Sequence, residues 1–200
     1  LTDADIFLHN LRPGTPAKMG FGAEQLRDRF PRLIYCDVGA FGHIGPLKDL
    51  PGYEPLMQAY GGLVSINGHP EGPPARIAVS LIDLGTGMWS AIGALAALHH
   101  RSKTGKGCII NTSLYETALA WGNFHMAEYR ATGKVPPRQA TGHGSVVPYQ
   151  AFEASDGPFM ILAGNERLFA KLAPVLGKPD WINDPRFKSN PARVRNRDKI

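Results

Sequence analysis

Apolar runs and apolar stripes alternate along the first two thirds of the chain. Ile6-Phe7-Leu8 predicts a short buried strand, and the Pro-Gly pair closing Asn10-Leu-Arg-Pro-Gly14 predicts a turn after it. Leu26 and Phe30 stand four apart, which places a helix over 22–29, and Leu33-Ile-Tyr-Cys36 reads as a second buried strand. A glycine-rich segment follows, Gly39-Ala-Phe-Gly-His-Ile-Gly45. Leu56, Met57, Tyr60 and Leu63 then mark one stripe of a helix over 53–64, and 67–76 is a Gly/Pro loop.

The strongest helical pattern runs from Asp83 to His100. Leu84, Met88, Ile92 and Leu95 share one face, while most other positions are Gly, Ala or Ser, so the helix is expected to be packed closely on several sides. Gly105-Lys-Gly107 stops it, 108–113 reads as a strand and 115–130 as a helix. This alternation predicts an α/β domain with a largely parallel sheet over 1–133. Beyond the linker at Pro136-Pro137, two short runs flanking Ser155-Asp-Gly157 predict a hairpin, and 168–176 a helix. Residues 134–200 are therefore expected to open a smaller α+β domain. Both ends interrupt patterned segments, so the chain is expected to be an interior piece of a longer protein.

Composition is that of an ordinary globular protein, with 43% hydrophobic and 20% charged residues. No apolar run approaches the roughly 20 residues of a membrane span. The net charge of +5 would suit an anionic ligand, but the basic residues are scattered. Only Arg193 to Lys199 is a basic cluster, interrupted by Asn and Asp, and it reads as a solvated helix start rather than a nucleic-acid contact. Cys36 and Cys108 lie in apolar runs and read as core residues of a protein in a reducing compartment, the cytoplasm first and the mitochondrial matrix second. The seven histidines have no metal-ligand spacing. Neither a dinucleotide fingerprint nor a Walker A sequence is present.

Asp83 is the leading candidate for chemistry. It follows the apolar run Ile77 to Ile82 and opens the small-residue helix, where a carboxylate caps free N–H groups and meets the positive end of the helix dipole. Both effects predict a pKa below the ordinary carboxylate value. A helix cap alone accounts for such a residue. The alternative is a nucleophile, since an ionised carboxylate attacks a thioester without needing a general base. Gly85 and Gly87 would then let a bulky substrate approach the backbone. His143, in Thr141-Gly-His-Gly-Ser145, is a candidate oxyanion donor or substrate contact. Lys103-Thr-Gly-Lys-Gly107 reads as a helix stop rather than a phosphate loop.

Taken together, these segments resemble family III coenzyme A transferases, the CaiB/BaiF family. The likeness runs in order through Asn10-Leu-Arg-Pro-Gly14, Lys18-Met-Gly20, Gly39 to Pro46, Pro51-Gly-Tyr-Glu54, Gly72-Pro-Pro74, Asp83-Leu-Gly-Thr-Gly87, Thr104-Gly-Lys-Gly107 and Asp184-Pro-Arg-Phe187. The resemblance implies a Rossmann-like large domain, a smaller α+β domain, an interlocked homodimer and about twice this length. It also implies that Asp83 is a covalent nucleophile. Asn10, Lys18 and Met19 would contact CoA, Tyr53 and Glu54 would line the site, and Gly142, His143 and Gly144 would bind oxyanion or substrate. Acyl-CoA and a carboxylic acid are the implied substrates, with no metal, nucleic acid or membrane partner.

Two other readings stand beside the transferase. The same family holds α-methylacyl-CoA racemases, whose acid–base pair would fall at Tyr53 and Asn165; neither replaces a base near neutral pH. The second is a CoA-binding module without chemistry, in which Asp83 is only a cap. The segment 141–150 is similar to that of transferases acting on dicarboxylates with succinyl-CoA as donor, and His143 or Arg138 would meet the second carboxylate.

Overall fold

The computed structural model describes residues 1–200. The chain divides into two compact units, residues 1–67 with 73–137, and residues 68–72 with 138–200. The first is an α/β unit on a three-stranded parallel sheet in the order β1 (Ile6–His9), β2 (Ile34–Gly39), β3 (Ile109–Ser113). Ile6 pairs with Ile34, and Cys36 with Ile110. β2 is central, and its Ile34, Tyr35 and Cys36 are fully buried. β1 departs from the expectation of a buried strand. As an edge strand it leaves Ile6 and Leu8 exposed and buries only His9. Both cysteines are free, and burial pushes the Cys36 thiol up.

Short helices α1 (Thr15–Lys18) and α2 (Ala23–Arg29) link β1 to β2. The helix expected over 53–64 is broken at Gly61-Gly62 into α3 (Glu54–Tyr60) and α4 (Leu63–Ile66), because Gly62 is left-handed. Its buried face is also different: Glu54, Met57 and Gln58 point inward, while Leu56 and Tyr60 are exposed. Gly122 likewise divides the segment after β3 into α6 (Leu114–Trp121) and α7 (Asn123–Thr132).

The long helix α5 spans Leu81–Thr104. It begins two residues before the predicted start, so Asp83 lies in its first turn rather than at its cap. The stripe of large residues faces outward: Leu84, Met88, Ile92 and Leu95 are all more than half exposed. The inner face is Ile82, Gly85, Thr86, Ser90 and Ala97. Periodicity identifies two faces but not which one is inside. Here close approach decides, because a methyl group at Gly93 would sit 2.9 Å from Ile110 and one at Gly85 would sit 2.7 Å from the Trp121 ring nitrogen. Small residues bring α5 onto β3 and α6, and two hydroxyl pairs at 2.8 Å, Thr86–Thr117 and Ser90–Thr112, bind the seam. By length and composition α5 is also apolar enough to cross a bilayer, although polar residues interrupt its apolar runs.

Gly105 ends α5 in the left-handed conformation, its N–H donating to the Arg101 carbonyl. Gly107 has a stricter role, since a methyl group there would meet the Leu33 carbonyl oxygen head-on. The clash is with backbone, which has nowhere to move. Gly107→Ala is expected to cost about 2 kcal/mol, read as a lower midpoint in urea with an unchanged slope.

The second unit carries the antiparallel hairpin β4 (Tyr149–Ala154) and β5 (Gly157–Leu162), then α8 (Glu166–Val175) and α9 (Asn190–Arg195). Its core is Ala163, Phe169 and Phe187. The basic cluster is not a solvated helix start. Arg193 is fully buried, its guanidinium 4.3 Å from the Phe169 ring centroid and donating to the carbonyls of Val147 and Phe187. Desolvation lowers its pKa. Alternation of apolar and polar residues gives no hint that one arginine of this run is a core residue.

Candidate active site

The first unit holds a cavity of about 610 Å³ at the C-terminal ends of β1 and β2, where ligands of parallel α/β sheets bind. Three features build its wall. His9, the last residue of β1, bonds the Tyr35 hydroxyl at 2.7 Å and accepts the Leu11 N–H on Nδ1, which turns the chain so that Asn10 and Arg12 line the cavity. The Tyr35 hydroxyl stays protonated, its pKa pushed up to about 12 by burial and then by Asp37. Gly39 closes β2, and Tyr53 and Glu54 open α3. Asp83 and Gly87, one turn apart on α5, form the remaining wall.

Glu54 and Asp83 meet through a backbone bond. Glu54 is only 5% exposed, yet its two oxygens accept the Asp83 N–H and the Gln58 side-chain amide, both at 2.7 Å. Gln58 in turn bonds both the N–H and the carbonyl of Ile77. The carboxylate that satisfies the free N–H at the start of α5 is therefore that of Glu54, in the place where a capping side chain ordinarily works. Asp83 is released from that task. Its own carboxylate has no hydrogen-bond partner and is exposed to the cavity.

This arrangement reverses the expected direction of the Asp83 pKa. Desolvation raises it first, and the nearby Glu54 charge raises it further. The predicted lowering assumed that Asp83 itself was the cap, bonded to backbone N–H groups. The two glycines after it also divide their roles. Gly87 has open space where a side chain would stand, whereas Gly85 exists to admit Trp121.

Of the site residues proposed from sequence, Asn10, Tyr53, Glu54 and Asp83 share this cavity. Lys18 and Met19 lie at the end of α1, both exposed and outside its lining. Arg12 and Gly39 also line it; neither is a candidate from sequence, although both belong to segments that carry the family likeness. His9 left no signal, since its work is to shape a turn. An apolar groove of about 260 Å³ along α4 and α7 has no carboxylate in its wall.

Gly142, His143 and Gly144 belong to the second unit. The N–H groups of Gly142 and His143 donate to the carbonyls of Gln139 and Tyr149, and the exposed His143 ring stacks on Tyr149 with centroids 5.2 Å apart. Arg138 donates to the carbonyls of His69, Pro70 and Gly72, so its guanidinium is engaged in holding the 68–72 loop.

A profile of the CoA-transferase family III matches residues 1–200. The chain belongs to that family. It is 39% identical over 198 residues to the acetyl-CoA:oxalate CoA-transferase of Acetobacter aceti, covering 98% of this chain and 51% of that one. It is 36% identical over 196 residues to the human succinyl-CoA:glutarate CoA-transferase, covering 98% and 45%. Among solved structures, a CaiB/BaiF family protein from Brucella suis superposes with a TM-score of 0.81 at 37% identity, over 98% of this chain and 52% of that one. The family III chain thus spans about half the length of the curated relatives it matches.

Proposed function

We propose that this family III chain is the nucleophile-bearing part of a CoA-transferase that moves coenzyme A from an acyl-CoA to a carboxylic acid, with dicarboxylates as the preferred acids. The observation that carries the reading is the unpartnered Asp83 carboxylate facing a cavity, with a different carboxylate doing its capping. A cap without chemistry would bond backbone N–H groups itself. Relatives named for oxalate, glutarate and D-citramalate support the dicarboxylate preference.

An Asp83 oxygen attacks the donor thioester carbonyl, and CoA leaves as its thiolate, giving a mixed anhydride on Asp83. The thiolate then attacks the Asp83 carbonyl carbon, forming an aspartyl-CoA thioester and releasing the donor carboxylate. The acceptor carboxylate attacks that thioester and expels the thiolate again, leaving a second anhydride. Thiolate attack on the acceptor acyl carbon forms the new acyl-CoA and restores Asp83. Every nucleophile enters as an anion, so no general base is needed. Catalysis then rests on excluding water from the anhydrides and stabilising oxyanions. Asn10 and Arg12 are the cavity residues suited to CoA, with Lys18 and Met19 assigned to its more distant parts and Tyr53 to the cavity mouth. The Gly142, His143 and Gly144 segment is assigned to oxyanion or acid recognition. We assign the two units to the large and small domains of an interlocked homodimer.

The racemase reading loses support at Asn165. This residue caps α8, its side-chain oxygen accepting the Leu168 N–H at 3.0 Å, and it has no ionisable group to offer an α-proton. The deciding experiment gives the full-length protein an acyl-CoA and examines the peptide containing Asp83 by mass spectrometry. An acyl or CoA adduct on Asp83 is expected; an unmodified Asp83 during steady turnover sinks the mechanism, and CoA binding without turnover would favour a binding module.

A further inference from the structure

The face of α9 and the turn after it does specific work on the segment 139–147. Asn190 and Arg193 stand three apart on α9, and Arg197 lies in the turn just after it. Each holds that segment. Asn190 donates to the Ser145 carbonyl and accepts the Val147 N–H, and Arg193 donates to the Val147 carbonyl. Arg197 donates to the Gln139 side-chain oxygen at 2.9 Å, to the Gly144 carbonyl at 2.7 Å and to the His143 carbonyl at 3.3 Å.

The bond to the His143 carbonyl has a directional consequence. A trans peptide points its C=O and N–H to opposite sides. With the His143 carbonyl drawn to Arg197, the Gly144 N–H of the same peptide points away from Arg197. The cationic donor also polarises that peptide and strengthens its N–H. The neighbouring ring is set as well. His143 Nδ1 accepts the Ser145 N–H at 3.2 Å, so the neutral ring carries its proton on Nε2, and the stack on Tyr149 fixes its plane. The Gly142 and His143 N–H groups are already satisfied within the unit. Among the backbone donors of 142–145 the Gly144 N–H has no acceptor, and on the ring beside it the His143 Nε2–H has none.

We propose that Arg197 is a positioning residue that holds these two donors as a binding site for a carboxylate of the substrate acid. The inference rests on the transferase reading for its place in the reaction, but the site itself is a local property of the second unit. It assigns the distal-carboxylate role to a backbone N–H and the His143 imidazole, and removes it from Arg138.

The test uses the full-length protein with glutarate as the probe acid and acetyl-CoA, which carries no second carboxylate, as donor. Arg197→Gln is expected to raise the KM for glutarate about ten-fold, leaving the KM for acetyl-CoA and adduct formation on Asp83 within two-fold of the parent. Arg197→Lys, which keeps one charged donor but not the fork, is expected to fall between. Separately, in protein labelled with ¹⁵N-histidine, glutarate is expected to shift the His143 Nε2 resonance in the parent. Arg197→Gln is expected to need about ten-fold more acid for the same shift. A glutarate KM that is unchanged in Arg197→Gln, or a KM for both substrates that moves in step with a lower Tm, overturns the proposal. So does a parent His143 resonance unmoved by glutarate. The titration needs no turnover, so a protein that binds glutarate through His143 yet forms no Asp83 adduct refutes the transferase reading and leaves this one standing.

Discussion

Replacing Asp83 by asparagine in the full-length protein is expected to reduce CoA transfer by at least about 10³-fold and, at neutral pH, to make the protein slightly more stable. The first effect follows from losing the oxygen that must form both covalent intermediates; asparagine keeps the shape but is not a nucleophile of that kind. The second follows from the environment of the carboxylate. Desolvation and the Glu54 charge both disfavour its ionised form, raising its pKa in the folded state above that of the unfolded chain. Above the raised value, folding carries the cost of an ionised Asp83 held near Glu54. Below the unfolded value both states are protonated, and no cost remains. The Tm advantage of Asp83→Asn should therefore be absent in strong acid, open as pH rises through the carboxylate range, and then level off. Because the side chain is exposed and solvent screens it, the plateau should be small, on the order of 1–2 °C. Thermal melts of both proteins across the acid-to-neutral range measure it directly. A plain capping aspartate predicts the opposite sign, since its removal lowers Tm.

That contrast marks what the sequence could and could not disclose. The parallel α/β unit, the hairpin and the placement of Asp83 on the long helix are all legible, because each depends on spacing within one segment. The gathering of Asn10, Tyr53, Glu54 and Asp83 at one cavity follows from family likeness rather than from any single motif. The environment of Asp83 was not legible. Its pKa direction follows from burial first and then from the charge of Glu54, 29 residues away in the chain, which takes over the cap. The inner face of α5 was misjudged for a related reason. Leu84, Met88, Ile92 and Leu95 have the pattern of a core stripe, but the tight seam against Ile110 and Trp121 admits only small residues. Arg193 was misread because charge in a sequence suggests solvent, and only the fold supplies the Val147 and Phe187 carbonyls that it serves.

Glu54 gives the second large effect, and its two substitutions separate structure from electrostatics. Glu54→Ala strands the Asp83 N–H and one N–H of the Gln58 amide, both bonded at 2.7 Å in the parent, although the amide keeps its bond to the Ile77 carbonyl. Two unsatisfied buried donors cost about 1–3 kcal/mol each before any relief of charge repulsion, so a net loss of about 3 kcal/mol is expected, read as a lower urea midpoint. Because the turn that loses this bond carries the nucleophile, kcat should also fall by at least about ten-fold. Glu54→Gln keeps the shape and can still accept the Asp83 N–H, though its amide then faces the Gln58 amide donor to donor. Its stability loss should be about half as large. Its distinguishing effect is on the pH profile. Removing the Glu54 charge removes one of the two causes that raise the Asp83 pKa, and leaves burial as the other. Asp83 must be ionised to attack, so the acid limb of kcat/KM should move to lower pH in Glu54→Gln. An acid limb that stays in place would mean that the limb reports some other group. A limb that moves to higher pH would contradict the arrangement in which Glu54 caps the turn that carries Asp83, because the only charge removed is a negative one.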